Sequence, residues 1–139
     1  MNTNNDKKIR PVRKDFSLRS LFKIIGYSMD GLKYFFRYER SAILYLIYVI
    51  LLVGCGIILQ MSFMEWVVIA FILLTILAME LINTAIEAIC DMVSPEKNPY
   101  VKIAKDCGSA ATGVLTLLGW VVTTIIYLPK IIKIIAALF

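Results

Sequence analysis

The sequence predicts an all-α membrane protein with three transmembrane helices, preceded by one amphipathic surface helix. Apolar residues make up 60% of the 139 residues and charged residues only 18%, whereas a soluble domain is about half apolar and a quarter charged. The mean hydropathy is +0.79. One uncharged run, residues 41–59, is long enough to cross the hydrocarbon of a bilayer. A soluble fold of this size could not bury so much apolar surface.

The N-terminal region divides into a tail and a helix. Residues 1–16 are polar and basic and lack the apolar core of a signal peptide, so we expect a retained, mobile tail. Between residues 17 and 38 apolar side chains recur on one helical face and basic side chains lie mostly on the other. This pattern predicts a helix in the membrane interface, with its basic side chains toward anionic head groups. The apolar face comprises Leu18, Leu21, Phe22, Ile25, Met29, Leu32 and Phe36.

Three spans are expected at about 41–59, 64–93 and 101–128, within a single membrane-embedded domain at 17–139. Two prolines in the loop between the second and third spans break the helical pattern there. Pro129 is expected to end the third span, because proline cannot donate a helical hydrogen bond.

The distribution of basic residues predicts the orientation. Ten of the fifteen Lys and Arg residues precede the first span, the 60–65 loop has none, and segment 94–106 has three. The positive-inside rule therefore places the N-terminus and the second loop in the cytoplasm. The same rule accounts for the net charge of +5, so we expect no nucleic-acid partner.

Some residue types limit the possible chemistry. Histidine is absent, which excludes His-based acid–base catalysis and His-ligated metal sites. The three cysteines have no C-x-x-C spacing and are expected to be small buried residues. We interpret Trp66 and Tyr127 as interface anchors and Trp120 as a packing residue.

Polar residues occur together inside two of the spans, where an ionisable side chain is costly and marks a functional site by default. The stripe on the second span comprises Glu80, Asn83, Thr84, Glu87 and Asp91. The stripe on the third span comprises Lys102, Lys105, Asp106, Ser109 and Thr116. Small residues beside the second stripe allow close helix approach. We expect the two stripes to face each other near the inner membrane surface, at the level of Glu39 and Arg40.

Carboxylates gathered beside a lysine at a membrane surface suit phosphate chemistry. Glu39 and Glu87 offer the hard oxygen ligands that Mg²⁺ prefers. Glu80 lies deeper, which suits a general base, and Lys105 suits contact with phosphate oxygens. Two other functions stay open. One is an ion or proton translocator with an intramembrane carboxylate; the other is a non-catalytic membrane scaffold whose polar stripe serves assembly.

Two segments identify a family resemblance. MELINTAIEAICD (79–91) followed by AKDCGSAA (104–111) resembles the prokaryotic diacylglycerol kinase family, which includes undecaprenol kinases. The family pattern there reads E-x-x-N-[ST]-A-[IV]-E, then a loop, then A-K-D. Upstream, GYSMDGLKYFFRYE (26–39) resembles the family's surface helix and the acid that follows it. The resemblance covers residues 20 to about 128.

The resemblance implies a homotrimer in the bacterial inner membrane, with composite sites where protomers meet on the cytoplasmic side. It implies transfer of the γ-phosphate of MgATP to a membrane lipid alcohol. Glu80 would be the general base, Glu39 and Glu87 the Mg²⁺ ligands, and Asn83 and Ser109 residues that orient groups in the site. The residues implied to contact the nucleotide are Tyr27, Glu39, Glu87, Glu96, Lys97, Asn98, Lys105 and Asp106.

The resemblance leaves the lipid open between diacylglycerol and undecaprenol. Residues 65–66 and 127–130 resemble undecaprenol kinases, whereas residues 107–111 resemble the diacylglycerol branch. Ser20 departs from the family pattern, because some relatives carry an arginine there.

Overall fold

The computed structural model describes residues 17–94 and 98–137, and those ranges contain four α-helices and no strand. The helices are α1 (Leu18–Tyr38), α2 (Arg40–Ile58), α3 (Phe63–Val93) and α4 (Pro99–Ala136). The predicted all-helical fold class is therefore confirmed. The tail at 1–16, which we expect to be mobile, lies outside the described residues.

Helices α2, α3 and α4 are each long and apolar enough to cross a membrane. Most of their apolar side chains lie on the outside, because no more than 22% of the most apolar stretch of any of them is buried. So large an exposed apolar surface is unfavourable in water. The chain is a membrane protein that presents this surface to hydrocarbon or to neighbouring helices.

Helix α1 begins with a reciprocal cap. Ser20 Oγ accepts a hydrogen bond from the backbone N–H of Ser17 at 3.2 Å and donates one to the Ser17 carbonyl at 2.6 Å. Ser17 Oγ accepts from the N–H of Arg19. Side chains that satisfy the free N–H groups of a first turn stabilise the helix start. Ser20 therefore serves the capping of α1.

A buried corner joins α1 to α2 and sets the position of Glu39. Glu39 has an extended backbone conformation, and its N–H donates to the Phe35 carbonyl at 3.0 Å, which closes α1. The next residue begins α2. Phe35 is fully buried and Ala42 is 1% exposed. These two side chains anchor the corner from both sides, although Phe35 lies outside the predicted apolar face of α1.

Helices α3 and α4 run antiparallel, because two ion pairs each join the start of one helix to the end of the other. Lys105 near the start of α4 pairs with Asp91 near the end of α3, and Lys130 pairs with Glu65 in the first turn of α3 at 3.0 Å. Between these pairs the helices lie close together. A Cβ added at Gly119 would be 2.9 Å from Ile72 Cγ2, so this contact requires glycine.

Helix α4 continues past Pro129 to Ala136, so the expected end of the third helix at about 128 is wrong. Proline removes one helical hydrogen bond, but contacts on both sides hold the helix in place. Tyr127 donates its hydroxyl to the Leu52 carbonyl at 2.7 Å, and Lys130 pairs with Glu65.

The hydrophobic core lies toward the α2–α3 loop, away from the α1–α2 corner. Its buried members are Leu52, Met61, Ile69, Leu73 and Tyr127. Tyr127 is 7% exposed, so its interpretation as an interface anchor is wrong. The Trp66 ring packs over Gly56, where an added Cβ would be 2.7 Å from Cη2. Of the three cysteines, Cys90 is buried as expected, whereas the other two are exposed.

Candidate active site

A polar cavity of about 420 Å³ lies at the α1–α2 corner, and all four described helices contribute to it. Its lining residues are Tyr38, Glu39, Arg40, Ser41, Glu80, Asn83, Glu87, Ser109 and Thr112. The cavity therefore gathers three carboxylates, one amide and several hydroxyl groups at one end of the helix bundle.

Five of the predicted site residues share this cavity. Glu80, Asn83 and Glu87 are spaced by three and four residues on α3, which places them on one helical face. Glu39 reaches the cavity from the α1–α2 corner, and Ser109 reaches it from α4. The three elements bring together residues that are far apart in the sequence.

Asn83 connects α3 to α4 inside the cavity wall. Its Nδ2 donates a hydrogen bond to Glu87 Oε1 at 2.9 Å. Its Oδ1 is buried and has no hydrogen-bond partner among the described residues. That oxygen lies against Gly108 of α4, where an added Cβ would clash with it. Asn83 is thus held between a glycine and a carboxylate, which orients Glu87.

The carboxylates fit the expected Mg²⁺ ligands. Glu39 and Glu87 line one cavity, and Mg²⁺ usually takes one or two protein carboxylates with water and phosphate as its other ligands. The described residues contain no group of three or more acidic or cysteine side chains suited to a metal. Two carboxylates that line one cavity would leave the other metal positions to water or phosphate, which is how Mg²⁺ is usually bound.

Other predicted residues lie elsewhere in the described protomer. Lys105 is ion-paired with Asp91 outside the cavity lining, and Asp106 is exposed on α4. Tyr27 is exposed on α1. Asn98 caps α4, because its Oδ1 accepts from the Tyr100 N–H at 2.9 Å. Glu96 and Lys97 lie outside the described residues.

The residues of the predicted polar stripe on α3 lie in three different surroundings. Glu80, Asn83 and Glu87 line the polar cavity. Thr84 instead lines a groove beneath α1, where it is accompanied by Leu81, Ala85 and small residues of α1. Asp91 pairs with Lys105. The expectation that the α3 and α4 stripes face each other is therefore correct for Asp91 with Lys105 and for the cavity residues with Ser109, but not for Thr84, which lies beneath α1.

Three cavity residues, Tyr38, Ser41 and Thr112, were missed from the sequence, and Arg40 was expected at this level but was given no role in the site. Tyr38, Arg40 and Ser41 flank Glu39 at the corner, and Thr112 follows Ser109 by one helical turn. Thr112 Oγ1 donates to the Ser109 carbonyl at 2.8 Å. For Tyr38 and Ser41 the available signal was closeness in sequence to Glu39, which was itself a candidate site residue.

An apolar groove of about 420 Å³ adjoins the polar cavity. Its lining residues are Ser41, Leu44, Tyr45, Ile47, Tyr48, Leu51, Ile76, Glu80, Thr116 and Trp120. Glu80 and Ser41 line both spaces. Trp120, interpreted from the sequence as a packing residue, is 55% exposed in the protomer and lines this groove.

Hydrogen bonds fix the tyrosines of this groove. Tyr45 donates to the Leu73 carbonyl at 3.2 Å, and Tyr48 lies 3.3 Å from Thr123 Oγ1. Both bonds satisfy polar groups that would be costly in hydrocarbon. The groove therefore has a firm wall on α2, and a carboxylate marks its boundary with the polar cavity.

Comparison with known proteins identifies a family for this chain. The family described as prokaryotic diacylglycerol kinase matches residues 26–127. A diacylglycerol kinase from Sinorhizobium is 39% identical over 106 residues, which cover 73% of each chain. A diacylglycerol kinase from Helicobacter pylori is 33% identical over 84% of this chain and 88% of its own. An undecaprenol kinase from Bacillus subtilis is 32% identical over 55% of this chain, and the match spans 63% of that kinase, less than two thirds of its length.

Proposed function

Because the chain belongs to the prokaryotic diacylglycerol kinase family, we propose that it is a lipid kinase that transfers the γ-phosphate of MgATP to the hydroxyl of a membrane lipid. The lipid is diacylglycerol, which yields phosphatidic acid, or undecaprenol, which yields undecaprenyl phosphate. Relatives with both names support this pair of substrates.

The main support for this proposal is the position of Glu80. Its side chain lines a polar cavity on one side and an apolar groove on the other. A lipid alcohol needs this arrangement, because its chain requires apolar surroundings while its hydroxyl must meet a charged phosphate. A translocator or a scaffold would not need a carboxylate at the boundary between two such spaces.

The chemistry follows from the cavity residues. Glu80 takes the proton of the lipid hydroxyl as its oxygen attacks the γ-phosphorus, and the bond from that phosphorus to the β–γ bridging oxygen breaks to leave ADP. Glu39 and Glu87 would hold Mg²⁺, which when bound neutralises phosphate charge. Asn83 keeps Glu87 in place through its 2.9 Å hydrogen bond. Phosphoryl transfer depends mostly on such positioning and charge neutralisation.

The proposal includes the assembly and the orientation that the family resemblance implies. Three protomers form a homotrimer in the bacterial inner membrane, with the N-terminus and the polar cavity on the cytoplasmic side, where ATP is available. In that trimer Lys105, Asp106 and Tyr27 would reach the nucleotide at composite sites. The abundance of basic residues before the first span supports this orientation.

Transfer of labelled phosphate tests the proposed function directly. Purified protein in mixed micelles is supplied with γ-labelled ATP, Mg²⁺ and either diacylglycerol or undecaprenol. We expect Mg²⁺-dependent labelling of one lipid well above the other, and loss of labelling when EDTA is added. Absence of label from both lipids, with folded protein, would refute the proposal.

A further inference from the structure

We infer that the guanidinium of Arg40 binds phosphate oxygens of the nucleotide in the polar cavity. This inference rests on the proposed function and adds to it a residue that gives the cavity its positive charge. Arg40 is the first residue of α2 and lines the cavity together with Glu39, Glu80 and Glu87.

The charge of the cavity shows why such a residue is needed. Three carboxylates would repel a triphosphate strongly where water is partly excluded. Among the described residues that line the cavity, Arg40 is the cationic side chain. Mg²⁺ held by two of the acids would offset part of the repulsion, and Arg40 supplies a fixed positive charge that remains when the metal leaves with the product.

Arg40 is also available for a ligand. Ion pairs in the described ranges 17–94 and 98–137 involve Lys33, Lys105 and Lys130, and none involves Arg40. Its side chain is exposed, whereas the backbone beside it is anchored by the buried residues Phe35 and Ala42. Among the residues that the structure describes, the guanidinium of Arg40 therefore has no ion-pair partner that would neutralise it.

The chemistry of the guanidinium matches the phosphate. Arginine presents five N–H donors in a planar fork and binds phosphate oxygens through two parallel hydrogen bonds. Lys105, which lies toward this end of the bundle on α4, pairs with Asp91 within the protomer. A bidentate contact from Arg40 would orient the triphosphate as well as attract it.

Anionic lipid head groups are the alternative phosphate source, because basic residues near a span bind them too. Arg37 provides the matched control for this possibility. It carries the same charge three residues earlier, at the end of α1, and its guanidinium lies 5.5 Å from the Tyr38 ring centroid. Arg37 is not among the residues that line the polar cavity.

Equilibrium dialysis measures the binding of labelled ATP, with Mg²⁺ present, to the purified protein. The proteins compared are wild type and the variants Arg40→Ala, Arg40→Lys and Arg37→Ala. We expect Arg40→Ala to bind MgATP roughly tenfold or more weakly, which is the effect of losing charge-assisted hydrogen bonds. Arg40→Lys should fall between it and wild type, since it keeps the charge and loses the fork. Arg37→Ala should stay within about twofold of wild type. Circular dichroism checks that all variants are folded.

The outcomes separate this inference from the proposed function. Unchanged MgATP binding by Arg40→Ala, or an equal loss in Arg37→Ala, would overturn the assignment of Arg40 even if wild type phosphorylates lipid. Wild-type protein that binds MgATP through Arg40 and transfers phosphate to neither lipid would refute the proposed function and leave the assignment of Arg40 standing. If Arg40 binds anionic head groups instead of the nucleotide, Arg40→Ala will bind MgATP as tightly as wild type, and that result would overturn the inference.

Discussion

Asn83 donates a 2.9 Å hydrogen bond to Glu87 one turn away on α3, while the other side of the same amide lies against Gly108 of α4. The packing of two helices and the orientation of a proposed metal ligand therefore depend on one side chain. Substitution of Gly108 should therefore displace the Asn83 amide and change the orientation of the Glu87 carboxylate.

Substitution of Gly108 tests this connection. In Gly108→Ala the new Cβ would clash with Asn83 Oδ1, so we expect a loss of about 1–3 kcal/mol in the free energy of unfolding, together with reduced kinase activity. Gly113→Ala is the matched control, because no atom lies within 4 Å of an added Cβ there. Thermal unfolding in detergent micelles measures both variants. Equal stability of the two would show that the α3–α4 contact tolerates a methyl group.

Removal of the Asn83 side-chain amide should weaken Mg²⁺ binding more than it destabilises the fold. In Asn83→Ala, Glu87 loses a hydrogen bond to its charged carboxylate, and we expect the Mg²⁺ concentration for half-maximal activity to rise by about tenfold. Thr84→Ala changes the neighbouring residue, which lines a different groove, and should leave the Mg²⁺ requirement unchanged. Titration of activity with Mg²⁺ provides the measurement, and identical curves for Asn83→Ala and wild type would contradict the orienting role.

The effects of the variant Glu80→Gln distinguish a lipid kinase from a non-catalytic scaffold. A general base contributes about 10²–10⁴-fold to a rate, so we expect at least a hundredfold loss of lipid phosphorylation with unchanged thermal stability. If the polar stripe served assembly alone, the same variant would lose stability or oligomeric state instead. Phosphate transfer and size-exclusion chromatography in detergent distinguish these outcomes, and lipid phosphorylation at the wild-type rate would refute the role of Glu80.

Substitution of Trp120 should change the kinetics for the lipid substrate but not those for ATP. Its indole lines the apolar groove, so Trp120→Ala should lower kcat/KM for the lipid severalfold, in line with the loss of buried apolar contact, and leave the KM for ATP unchanged. Val121→Ala is the control, because Val121 is exposed on α4 and is not among the residues that line the groove. Initial rates at varied lipid and varied ATP provide the test. Equal lipid kinetics for the two variants would show that the groove does not hold the lipid chain.

Tyr127 should matter for stability alone. Its hydroxyl donates to the Leu52 carbonyl at 2.7 Å in the buried core, and Tyr127→Phe leaves that carbonyl without this donor. We expect a loss of about 1 kcal/mol in the free energy of unfolding and little change in activity, since the core lies away from the polar cavity. Tyr100→Phe, at an exposed position, should be neutral in the same unfolding assay. A large loss of activity in Tyr127→Phe would contradict this separation of core and site.

The sequence predicted the features that depend on neighbours along the chain. Apolar runs long enough to cross a bilayer indicated α2, α3 and α4, because length and hydropathy are local properties. The spacing of Glu80, Asn83 and Glu87 placed them on one face of α3, because the period of a helix is itself local.

Features that depend on contacts between helices were not predictable in this way. Periodicity defines a face of a helix but not the helix that covers it, so only the tertiary structure showed that Thr84 lies beneath α1. The two polar stripes were expected to face each other, but the individual pairing of Asp91 with Lys105 came from the structure. The continuation of α4 through Pro129 likewise depends on flanking contacts of Tyr127 and Lys130.

The sequence by itself thus determined that the protein has three apolar helices and that one of them carries acids on a single face. The tertiary structure decided which of those acids share a cavity, that Glu80 also borders an apolar groove, and that Arg40 lines the same cavity as the carboxylates. The physical reason is that the rotation and depth of each helix are set by side-chain packing between helices, at contacts such as Gly108 with Asn83 and at the corner that Phe35 and Ala42 bury.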